Sequence, residues 1–264
     1  MLTRPAARRN LRGNKRDDGA AVSKIEAEIA LADAENVRNT LEALRADRGF
    51  VLPHHGLLAA ALPELEAAYG PMYRALTVDA HYMAPLEREC VWLALLACRD
   101  EPVGTHHVAL FRQHGGDDAL AAAVFRHTAW AMGAAAQAFL ARSWAAHFPG
   151  VDPAANYRDG AAALDLPPLA EATARLLRLA VHAARDQAWA LEVELEAAYR
   201  AGLDEGRMVE AISLIIWPCG VNVFVRAAGT WLGLLRSGRV TPSPAFAAWA
   251  AAAGQGPLQL PTGG

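Results

Sequence analysis

Three ionisable residues stand together at Glu87, Arg88 and Glu89, and Thr105, His106 and His107 follow less than twenty residues later. A carboxylate beside an imidazole is a proton-transfer set. The carboxylate fixes the tautomer and raises the basicity of a ring that already titrates near neutrality. Pro85 precedes the apolar-periodic stretch Leu86 to Cys98, and Pro102 precedes Val103 to His114. Each proline suits the first turn of a helix, so the acidic set and the histidines sit near the starts of two successive helices. Two such helices, joined around Arg99 to Glu101, bring a carboxylate to an imidazole only if they pair with a stagger. Spacing leaves open which of Glu87 and Glu89 meets which of His106 and His107. The start of the second helix also offers backbone N–H groups on which a substrate carboxylate could dock.

Other chemistries fit the residues less well. Nine histidines include the pair His54-His55 and the seven-residue spacing of His107 and His114. No Glu-x-x-His or His-Glu-x-x-His accompanies them, and His107 and His114 would lie about 10 Å apart along a helix, so no metal site is expected. There is no glycine-rich phosphate loop and no Gly-x-Ser-x-Gly elbow. Cys90, Cys98 and Cys219 form no Cys-x-x-Cys. Free thiols of this kind predict a reducing, cytoplasmic setting, and Cys90 and Cys98 read as small core residues.

The elements that must carry this set are helical. The 264 residues are 53% hydrophobic and 20% charged, about 60 of them are alanine, and no stretch reads as a strand. Helices are predicted over 22–46, from Pro63 through Tyr73, over the two segments above, from Asp117-Asp118 towards Ser143, and over 169–185, 188–201 and 205–236. Gly49 to His55 reads as a loop. No apolar run suffices for a membrane span. Residues 1–16 hold six basic and no acidic residues, leaving −9 on the rest of a chain whose net charge is −3. The acidic body speaks against a nucleic-acid partner, and residues 1–21 read as a basic flexible arm.

An internal repeat runs at an offset of 87. Gly115-Gly116-Asp117-Asp118 aligns with Gly202-Leu203-Asp204-Glu205, Trp130 with Trp217 and Gly133 with Gly220. The expected organisation is a first helical unit over 22–148, a linker over 149–168, a second, degenerate unit over 169–239, and an irregular tail over 240–264. Two copies of one unit would pack with pseudo-two-fold symmetry. In the second copy Glu194 stands where the first has His107, and Ala174 or Leu176 stands for the acidic residue. One site per chain is expected, on the first copy, and replacing Glu194 should change turnover little.

The order of "PELEAAY" (63–69), "LERE" (86–89), an apolar helix, a His and a Gly eight residues after it resembles the carboxymuconolactone decarboxylase superfamily, which includes the alkylhydroperoxidase D-like proteins. The resemblance covers roughly 55–140 and, in degenerate form, 169–236. It implies an all-α unit that assembles into trimers or hexamers, so a fused pair would form a homotrimer. The peroxidase branch carries Cys-x-x-Cys before its His, and the matching positions here, Asp100 and Val103 or Arg99 and Pro102, supply no thiol. The decarboxylase branch has an acidic residue, a His and no cofactor. What the resemblance implies is a cofactor-free lyase or isomerase acting by proton transfer on a small carboxylated or enolisable substrate. His107 (or His106) would be the acid/base and Glu87 or Glu89 its orienting carboxylate, with Arg88 and Thr105 as substrate-binding residues. The alternatives are a non-catalytic oligomeric binding or scaffold protein of the same fold and, after it, an alkylhydroperoxidase.

Overall fold

The computed structural model describes residues 31–79 and 81–256. The basic arm, residues 1–21, lies outside the described residues, as does the end of the tail. All regular structure among the described residues is helical. The chain divides into two compact units, residues 1–72 and 73–264.

The first unit contains α1 (Ala34–Arg48), α2 (Pro53–Ala61) and most of α3 (Pro63–Tyr73). Asp33 caps α1 by accepting from the backbone N–H groups of Glu35 and Asn36, and Gly49, at φ 79°, ends it. Pro53 and Pro63 each open a helix, so the expected loop over 49–55 is shorter than read: Pro53, His54 and His55 already belong to α2.

In the second unit, α3 runs into a π-helical turn, Arg74–Val78, and is followed by α4 (Pro85–Arg99), α5 (Thr105–Gln113) and α6 (Asp118–Met132). Next come α7 (Ala135–Phe139), with irregular turns to His147, and α8 (Pro153–Ala162). The unit continues with α9 (Glu171–Ala184), α10 (Ala188–Arg200), α11 (Glu205–Ser213), α12 (Ile216–Cys219), α13 (Val221–Arg236) and α14 (Pro244–Ala251). The core sits where α4 and α9 pack on each other. Both also contact α6, and α9 contacts α11. Val91, Ala94 and Leu95 of α4 and Ala174, Leu176, Leu177, Leu179, Ala180 and Val181 of α9 are fully buried. An isolated amphipathic helix buries one stripe, whereas these two are enclosed nearly all round.

Residues 149–168, expected as a linker, contain regular structure. The helices on either side of this segment share one core, and the segment itself contains α8, with Tyr157 fully buried. The tail likewise contains α14. Both helices start the same way: Asp152 or Ser243 accepts from backbone N–H groups of the first turn, and a proline follows at the first helical position. Two helices expected to be continuous are broken. The one from Asp117 stops at Met132 before Gly133, and the one over 205–236 is interrupted after Ser213 and again at Gly220. Gly220 has φ 83° and ψ 158°, open only to glycine.

Of the positions that defined the 87-residue offset, the first glycines and the aspartates behave alike, whereas Gly133 (φ −75°) and Gly220 (φ 83°) do not. Gly115 and Gly202 both have positive φ, 94° and 68°. Asp117 accepts from the Leu120 N–H at 2.8 Å and Asp204 from the Arg207 N–H at 2.9 Å, each three residues on. Their tryptophans differ in surroundings, Trp130 stacking on Tyr157 and Trp217 meeting Tyr73 edge-on.

Candidate active site

Glu87, Arg88 and Glu89 all lie in the first turns of α4 and all are buried, yet each does something different. Glu89, 1% exposed, has Oε2 2.8 Å from Nδ1 of His107, which is 3% exposed. α4 and α5 meet with the stagger that this contact needs because the turn between them is tight. Asp100 takes the left-handed conformation, and a Cβ on Gly104 would come within 2.5 Å of the Leu96 side chain. Trp92, one turn beyond Glu89, stacks on the His107 ring at 4.2 Å and 16° and fixes its plane.

A carboxylate only accepts, so Nδ1 of His107 donates to Glu89 and Nε2 is left with its lone pair. Nε2 makes no hydrogen bond among the described residues. The neighbouring His106 ring lies 4.1 Å away, and its Nε2 is 2.7 Å from the Tyr73 hydroxyl. Burial, helped by His107, pushes His106 down to about 4, which keeps it neutral through the physiological range. The pairing that spacing left open is thus Glu89 with His107, while His106 is turned to Tyr73.

The other candidates are placed elsewhere. Glu87 does not meet a histidine. It accepts from the Thr173 hydroxyl at 3.0 Å and is clamped by Arg207, whose Nε lies 3.2 Å away, at the wall of a cavity of ≈490 Å³. Arg88 is 7% exposed and donates to the Asp79 carbonyl at 2.6 Å. It lies 4.0 Å from Glu89 and 3.9 Å from Glu210, so it is a buried neighbour of the dyad rather than an open docking point for a substrate carboxylate. Thr105 is exposed and lines a different cavity, ≈260 Å³, together with Leu93, Leu96 and Phe125. Cys90 and Cys98 are core residues, and burial pushes each thiol up to about 12, away from thiolate chemistry. Among the described residues, no three His, Cys, Asp or Glu side chains are grouped to hold a metal ion.

The positions that the 87-residue offset sets against the dyad are not empty of polar chemistry. Glu194 is 1% exposed and accepts from Arg178 Nε and Nη2 at 3.2 and 3.0 Å. Arg178 also donates from Nη1 to His127 Nδ1 at 2.9 Å and to Asp165 at 3.1 Å. His127 therefore carries its proton on Nε2, which donates to the Leu164 carbonyl, and burial followed by the Arg178 charge lowers its pKa. Beside it Tyr157 and His182 share a 2.6 Å hydrogen bond, and burial pushes His182 down to about 4. The one-for-one comparison with His107, on which replacing Glu194 changes turnover little, does not show that Glu194 is the buried counter-ion of an arginine, so its replacement bears on stability.

Tyr73, Trp92, Glu210, Arg178 and the His55–Glu66 pair were not singled out in the sequence for the roles the structure gives them. Trp92 had a usable signal, three residues from Glu89 on the same helix. The rest depend on contacts across 11 to 128 residues of chain, as in the bonds of Glu210 to the Tyr82 and Met83 N–H groups, and no local pattern marks them. In comparisons with known proteins, no family model, no curated protein and no solved structure matches this chain.

Proposed function

We propose that the chain is a cofactor-free lyase or isomerase that works by proton transfer at His107. The observation that carries the reading is the 2.8 Å contact between Glu89 Oε2 and His107 Nδ1. With Nδ1 donating, Nε2 is the base. It takes a proton from a carbon next to a carbonyl, Glu89 stabilises the imidazolium that forms, and the proton returns at a second atom in an isomerisation. In a decarboxylation Nε2 first takes the proton of the substrate's carboxyl group; the bond to the carboxylate then breaks, its electron pair forms the enolate, CO2 leaves, and the imidazolium returns that proton to the carbanion. The substrate class is a small carboxylated or enolisable molecule. A tandem carboxymuconolactone decarboxylase-like unit, assembled as a trimer in the cytoplasm, remains the architecture this reading favours. The matching caps at Asp117 and Asp204 support the tandem arrangement, and exposed Val103, Val108 and Phe125 offer apolar surface for assembly.

The test is solvent-deuterium exchange and CO2 release over a panel of small cyclic keto acids and lactone carboxylates. His107→Gln should remove about 10²–10⁴-fold of any turnover while the fold and oligomer persist. If His107→Gln and His106→Gln both retain full turnover, the site lies elsewhere. One observation favours the scaffold reading instead: at 3% and 1% exposure the dyad is almost closed to solvent. On that reading His107→Gln lowers the melting temperature and no substrate on the panel exchanges.

A further inference from the structure

Arg88 stands between two buried carboxylates and closes on neither. Its Nε lies 4.0 Å from Glu89 Oε1 and its Nη1 lies 3.9 Å from Glu210 Oε1, both beyond hydrogen-bonding distance. Arg88 Nε, Glu89 Oε1 and Glu210 Oε1 are each buried without a hydrogen-bond partner. A guanidinium and a carboxylate so close and so well enclosed ordinarily form a two-pronged pair. Two contacts hold this guanidinium back. Nη1 donates to the Asp79 carbonyl at 2.6 Å, and the same nitrogen, not the one nearest Glu89, faces Glu210.

Glu210 is itself fixed. It is 4% exposed, and its Oε2 accepts from the Tyr82 and Met83 N–H groups, both at 2.6 Å, just ahead of α4. One carboxylate of α11 therefore anchors the chain entering α4 and gives Arg88 a second counter-charge. The consequence falls on the dyad. Glu89 has Oε2 on His107 Nδ1 and Oε1 unspent. If Arg88 closed on Glu89 with both prongs, it would engage both oxygens, and Nδ1 would lose its acceptor. A neutral imidazole without that acceptor can carry its proton on Nε2, the atom that must be bare to act as a base.

We propose that Glu210 is a positioning residue for the His107 site: it keeps Arg88 off Glu89 and so preserves the Nδ1–H tautomer of His107. Its importance for a reaction rests on the reading of His107 as the proton-transfer base, whereas the tautomer itself is measurable with no substrate.

Long-range nitrogen–proton correlation spectra of the full-length protein, labelled with 15N in histidine and held at pH 9, report which ring nitrogen carries the proton. The signal lost in His107→Gln assigns the residue. In the parent, His107 is expected in the Nδ1–H form. Glu210→Gln keeps an acceptor for the Tyr82 and Met83 N–H groups but removes the charge, and there about half or more of His107 should pass to the Nε2–H form. Adding Arg88→Met to Glu210→Gln removes the competing guanidinium and should restore the parent tautomer, a rescue that a merely structural role for Glu210 does not give. Circular dichroism checks that the variants fold. The double variant leaves no guanidinium stranded, so it remains a test if the single variant misfolds. Loss of the Nδ1–H form in the folded double variant overturns the proposal, as does an unchanged tautomer in folded Glu210→Gln or an Nε2–H His107 in the parent. If the tautomers shift as expected while His107→Gln keeps full turnover, or while no substrate of the panel exchanges, the role of Glu210 stands and only the reaction falls.

Discussion

Glu194→Gln strands the charge of a buried arginine, and its cost in stability can be worked out. Glu194 is 1% exposed, its Oε1 accepts from two nitrogens of Arg178, itself 1% exposed, and Arg175 Nη1 lies 3.6 Å away. Glutamine keeps the shape and an acceptor oxygen but removes the charge, leaving Arg178 with Asp165 alone as its close counter-ion. Removing one partner of a buried ion pair costs about 3–5 kcal/mol, because the remaining charge stays desolvated. Retention of the acceptor places Gln near the lower end, about 3 kcal/mol, and Ala near the upper. For a unit of this size each kcal/mol shifts the melting temperature by about 2–4 °C, so Gln should lower it by about 6–12 °C. Urea denaturation followed by far-ultraviolet circular dichroism at pH 7 gives the free energy directly. Combining Arg178→Met with Glu194→Leu should cost less than the sum of the two single changes, since neither charge is then stranded. A loss below about 1 kcal/mol for Glu194→Gln would refute the reasoning, placing the pair among solvent-screened ones.

Three further outcomes can be checked with the same protein. His106 and His182 are each held near 4 and His127 is lowered, all chiefly by burial. Their folded-state pKa values lie below the unfolded value, so the stability they contribute is complete above about pH 6.5 and is lost as pH falls from there towards 4. Urea midpoints that stay flat between pH 7 and 5 would contradict this. Gly160→Ala would drive a Cβ into the Trp130 ring and should cost about 1–3 kcal/mol, read as a lower urea midpoint; an unchanged midpoint would mean the ring yields freely. Cys90 and Cys98, each pushed up to about 12, should react with a disulfide reagent at pH 8 only after denaturation, and no thiol peroxidase turnover is expected with a dithiol reductant. Rapid labelling of both in the native protein would contradict their burial.

Local rules carried the reading furthest where a signal is complete within one turn of helix. Asp117 and Asp204 cap helices as their Gly-x-Asp context indicates, Pro63 and Pro85 sit in first turns, and Cys90 and Cys98 are core residues of an apolar helix. The starts of α8 and α14 were legible too, in Asp152-Pro153 and Ser243-Pro244. Proline breaks a helix interior but suits its first turn, so a high proline and glycine content alone does not mark these segments as irregular. Apolar periodicity, by contrast, continues across a break, which is why 205–236 read as one helix despite Gly220.

By itself, then, the sequence determined that the chain is helical, where the helices near Pro63, Pro85, Asp118, Glu171, Ala188 and Glu205 begin, and that an acid and an imidazole stand near the starts of two successive helices, because capping, proline placement and apolar period are fixed by neighbours a few residues away. Only the tertiary structure decided that Glu89 rather than Glu87 meets His107. Glu87 and Glu89, two apart on a helix, point about 200° from one another, and what waits on each side, Thr173 and Arg207 or His107, comes from other helices. The same holds for the charge of Glu194, whose counter-ion stands on a different helix, and for Glu66, whose partner His55 does. A buried charge is defined by what encloses it, and enclosure is a property of the packed chain.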